Sequence, residues 1–135
     1  MAVSGRGDFT LRETATRRLK ASAGTVHQFD VLATDDRRLG IACVTLEVPP
    51  ALVREFGHVC VTLAEAHSTA VRFAEVATAL FDATFRCRVA EIRVVVPGDH
   101  TPSLQACVSL HPAGPAESFD LRGNRYFAFR YSGAS

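Results

Sequence analysis

The sequence has no CxxC pair, no glycine-rich dinucleotide loop, no Ser-His-Asp string and no interleaving of basic and aromatic residues. Those gaps leave redox-motif, Rossmann, triad-hydrolase and nucleic-acid readings without a local signature. No stretch approaches the ~18 consecutive apolar residues of a membrane span. Charge of one sign is lacking as well, with 15 Lys and Arg against 14 Asp and Glu. Neither a nucleic acid nor a membrane surface is therefore expected as partner. The start, MAVSGRGDF, has no basic segment followed by an apolar run, so a cytoplasmic protein is expected. Cys43, Cys60, Cys87 and Cys107 are scattered among apolar neighbours, which suits buried free thiols. No spacing joins a fourth ligand to His58, Cys60 and His67, so no metal is expected.

What is present is 135 residues, 47% of them hydrophobic, enough for a single core. Residues 1–24 read as a polar arm, partly irregular, in which FTLRE is a candidate remnant first strand; residues 25–135 form the domain. The Arg6-Gly7-Asp8 tripeptide in that arm is attributed to chance. VHQFDVLA, the turn TDDRR and LGIACVTLEV predict a hairpin ended by Pro49-Pro50, and a third strand is expected from near Phe56. From Ala70 to Arg86 the apolar stripe Phe73, Val76, Ala77, Leu80, Phe81, Thr84 and Phe85 predicts an amphipathic helix. VAEIRVVV, residues 89–96, reads as a strand covered on both faces, set beside the third strand and diverging from it at the Leu63 end. A short helix follows, with Thr101 as N-cap, Pro102 at its first position, and Leu104, Cys107 and Val108 on one face. SFDL, RGNR and YFAFRY close the chain as a hairpin. The expected fold is α+β, in the order β-β-β-α-β-α-β-β, with the phenylalanines 73, 81, 85, 127 and 129 in its core.

The strings LGIACVTL, EFGHVCV, FAEVATALFDATF, VAEIRVVV, HTPSLQACVSL and RYFAFRY, over residues 26–132, resemble successive signatures of the GNAT superfamily of N-acyltransferases. The nearest branch is the one that acetylates ribosomal-protein N-termini. The resemblance implies a mixed, mostly antiparallel central sheet with splayed strands, and transfer of an acyl group from acetyl-CoA or another acyl-CoA to an amine. Glu75 and Phe85 match the glutamate and the aromatic of the family's main helix. Val61, Leu63, Ser68, Thr69, Ala70, Val71, Arg72 and His100 fall where the family holds its cofactor.

Thr69 and Val71 stand where the phosphate loop of the family has glycines, and a branched Cβ opposes close approach of backbone and anion. His100 replaces the family's asparagine, and His111-Pro112 replaces its glycine–aromatic pair. Glu55 matches a glutamate that acts as base or water-positioning group; the alternative is a solvated carboxylate at a strand start. Ser103 matches a serine near the cofactor thiol; the alternative is an ordinary residue of a helix cap. The competing functional reading is a GNAT-fold protein without transfer, acting as a binding, regulatory or repurposed, for example biosynthetic, partner. Because the chain is short on its acceptor side, a homodimer or partner protein is expected to complete it.

Overall fold

A computed structural model of the protein describes residues 1, 3, 8–18 and 24–133. It is an α+β fold of two antiparallel sheets and three helices. The first sheet runs β1 (Phe9–Arg18), β2 (Thr25–Ala33), β3 (Arg38–Leu46) and β4 (Val59–Leu63), in that order. The second has β5 (Glu91–Pro97) and β6 (Glu117–Leu121) on either side of β7 (Asn124–Ser132). Helix α1 (Pro50–Phe56) links β3 to β4, α2 (Ala70–Arg86) links the two sheets, and α3 (Thr101–Ser109) follows β5. No helix among the described residues is long and apolar enough to cross a membrane.

Period-two alternation drives the strands: Phe29 and Val31 of β2, Ala42 and Val44 of β3 and Val59 of β4 are buried, and the residues between them are less so. Helix α2 has the predicted bounds, capped by the Thr69 hydroxyl accepting from Arg72 N–H at 3.2 Å. Its buried stripe includes Phe73, Val76, Leu80 and Phe81, and Phe81 meets the Tyr131 ring at 4.7 Å between centroids. Thr84, fully buried, satisfies its hydroxyl on the Leu80 carbonyl one turn earlier.

Several expectations are corrected. The single central sheet is divided, because β4 and β5 share no ladder and belong to different sheets. β5 is an edge strand with one buried face, not a strand covered on both. FTLRE opens a ten-residue strand, paired along β2 and anchored by buried Phe9, so much of the supposed irregular arm is ordered sheet. The rest of that arm, including Arg6 and Gly7, lies outside the described residues. PALVREF is a helix, and β4 starts at Val59 and not near Phe56; Pro50 at the first helical position was the signal for it. His100, not Thr101, is the N-cap of α3, and Val108 is 62% exposed, so it does not share the buried face of Cys107. Phe85 and Phe127 only border the core. Cys60 and Cys87 are exposed, and only Cys107 is buried.

Candidate functional site: a cleft between two sheet edges

The two sheets meet at one joint. Gly57, after α1, adopts φ 73° and ψ −177°, a conformation essentially reserved for glycine, and passes so close to β5 that a Cβ would lie 2.5 Å from the Arg93 carbonyl oxygen. His58 N–H then donates to that carbonyl at 2.7 Å, and His58 Nδ1 accepts from Arg93 N–H at 3.0 Å. The Arg93 guanidinium donates to the Arg54 carbonyl at the end of α1, at 2.9 and 3.1 Å, and to Glu117 at 3.2 Å. One residue of β5 thus holds β4, α1 and β6 in place.

Beyond the joint the strands part. The cleft between them encloses about 350 Å³ and is lined by residues of β4 and β5, with Glu55 and Phe56 of α1, Phe73 of α2, Tyr126 of β7, Ser103 of α3 and its N-cap His100. Both walls are sheet edges, so among the described residues their outward backbone N–H and C=O groups have no strand partner there.

Two of the lining residues, His100 and Ser103, belong to a chain of three polar side chains that continues to Ser68. Ser68 Oγ lies 3.2 Å from His100 Nε2, His100 Nδ1 lies 2.6 Å from Ser103 Oγ, and Ser103 Oγ donates to the His100 carbonyl at 2.9 Å. Ser103 is 1% exposed, and its bond back to the N-cap residue His100 is of the kind that an ordinary helix-cap serine makes.

Of the sequence-predicted site residues, the cleft gathers Glu55, Val61, Leu63, His100 and Ser103, and Ser68 joins through His100. The others lie elsewhere. Thr69 is spent on capping α2. Ala70 and Val71 are not loop residues but the first turn of α2, where they line a separate groove against Gln105 and Ser109 of α3. Val71 is 72% exposed. Arg72 is engaged by Asp8 at 2.5 and 2.8 Å, and this ion pair holds the Asp8 carboxyl below its usual range. Phe56, Tyr126 and the edge of β5 were not anticipated as lining, since contacts between distant elements leave no local pattern. Among the described residues no group of His, Cys, Asp and Glu is arranged to hold a metal ion.

The joint is sensitive to pH. Burial pushes the His58 imidazole below its ordinary value, with Glu91 opposing, and Nδ1 must be unprotonated to accept from Arg93. The unfolded chain therefore takes up this proton first, so the contribution is complete above about pH 6.5 and is lost as pH falls toward the folded value. Glu13 titrates in a separate window: burial would raise it, but the N-terminal ammonium, Thr16 and His27 hold it at about 2. The expected result is a melting temperature that falls as pH drops below about 6.5, with a smaller fall in His58→Gln. Equal slopes for the two proteins in thermal melts would remove the joint as the cause.

No protein-family model matches the chain, and no curated protein matches it.

Proposed function

We propose that the protein is a divergent N-acyltransferase-like enzyme that moves an acyl group from acetyl-CoA or another acyl-CoA to the amine of a small molecule or peptide, in a GNAT-like arrangement of splayed strands. The observation that carries this reading is the pair of unpaired strand edges facing each other across an apolar cleft with a carboxylate at its mouth. An acyl-CoA presents an extended arm with two amides, which such edges recognise as they would a strand. The thioester then lies among apolar side chains, where a backbone N–H polarises its carbonyl more strongly than in water.

Glu55, exposed and adjacent to the α1 carbonyl that Arg93 holds, takes the proton of the incoming ammonium or orients a water that does so. Ser103 acts through His100, to which its hydroxyl is already committed. Phe56, 57% exposed beside the mouth, is where a second copy or a partner chain completes the acceptor side.

A second reading, binding without transfer, is favoured by the phosphate-loop region. Arg72 is paired with Asp8, and Val71 stands where the resembling family has glycine. Calorimetric titration with acetyl-CoA separates both readings from a cleft of another purpose: micromolar, one-to-one binding is expected. Absence of heat, with no competition by CoA in a fluorescent-ligand assay, would reject both.

A further inference from the structure

Ser68 sits between β4 and α2 as the central residue of a tight turn. Its φ of −83° and ψ of 70°, with Thr69 N–H donating to the His67 carbonyl at 2.9 Å, are those of an inverse γ-turn. The backbone therefore holds this serine firmly at a strand–turn–helix junction, immediately before the first turn of α2, whose N–H groups have no intrahelical acceptor.

The hydrogen bonds around His100 can be assigned to one tautomer. A hydroxyl has one proton, and that of Ser103 goes to the His100 carbonyl at 2.9 Å. At 2.6 Å from Nδ1, Ser103 Oγ is then the acceptor, the assignment of this network that places the ring proton on Nδ1. The neutral ring is left with its lone pair on Nε2, aimed at Ser68 Oγ 3.2 Å away. Nucleophile, base and orienting group are thus in sequence, the arrangement that activates a serine hydroxyl on unrelated folds.

We infer that Ser68 is an acyl-accepting nucleophile, with His100 as its general base and Ser103 as the residue that positions His100. Ser68 Oγ forms a bond to the acyl carbon as its proton passes to His100 Nε2. The bond from that carbon to the leaving thiol or alcohol breaks, and the leaving group takes the proton from Nε2. The acyl-serine is then cleaved by an amine or by water, whose proton passes to Nε2 and on to Ser68 Oγ, restoring the start. This covalent step is added to the transfer proposed above and rests on it for the natural donor.

The test uses p-nitrophenyl acetate, which carries no part of CoA and so separates this inference from acyl-CoA binding. The full chain is expected to release a burst of p-nitrophenolate and to gain one acetyl group, located on Ser68 by peptide mass mapping. Ser68→Ala should abolish the burst, and His100→Gln should slow it by about 10²–10⁴-fold. Circular dichroism accompanies each variant. Nitrogen NMR of the wild-type imidazole, which needs no variant to fold, should find Nδ1 protonated and Nε2 bare. Acetyl groups found only on lysines, cysteines or the N-terminus, or a proton on Nε2 of neutral His100, would overturn the inference.

Discussion

Gly57→Ala is expected to cost about 3 kcal/mol of folding stability, combining a backbone conformation that alanine resists with the overpacking of a Cβ against a fixed carbonyl. The atom it would strike is the Arg93 oxygen at 2.5 Å, the acceptor for His58 N–H, so the substitution pushes apart the strands that the joint holds together. Gly123 supplies the control: its φ is 81°, but no described atom lies within 4 Å of where a Cβ would stand, so Gly123→Ala should cost only about 1 kcal/mol. Chemical denaturation of both variants measures the difference. Similar losses at the two glycines would mean that the joint carries no special energetic weight.

Glu55→Gln is expected to reduce turnover by about 10²–10⁴-fold once an amine acceptor is supplied, the range that a positioned general base contributes. Stability should hardly change, because the side chain is exposed on a short helix. Turnover of Glu55→Gln equal to that of the parent across roughly pH 6 to 9 would return Glu55 to the class of surface charges.

The elements whose cause is local were legible in the sequence. The stripe from Phe73 to Phe85 marks α2, and alternation marks β2 and the closing hairpin, whereas Thr69, read as part of a phosphate loop, is the cap of α2. What was not legible depends on pairing. VAEIRVVV is apolar enough for a central position, yet it lies at an edge because β7 occupies one side and the cleft the other. FTLRE was legible as a candidate first strand, but its extension to Arg18 was lost in the polar composition of the arm; β2 supplies the ladder, and Met1 and His27 pair with Glu13. Val108 fits a helical stripe by spacing, but α3 turns that side to solvent.

The site shows the same division. Glu55, His100 and Ser103 were singled out by their positions in a resemblance, and the fold brings all three to one cleft. The Ser68–His100 contact spans 32 residues and could not be read from either local string. Arg72 looked like a free phosphate donor because its partner, Asp8, is 64 residues away in the chain.

Backbone-amide NMR during a titration with acetyl-CoA tests the assignment of the cleft most directly. Shifts concentrated at residues 61–63 of β4 and 94–96 of β5, with His100 following, are expected. Shifts confined to the groove between α2 and α3, or none at millimolar ligand, would contradict it.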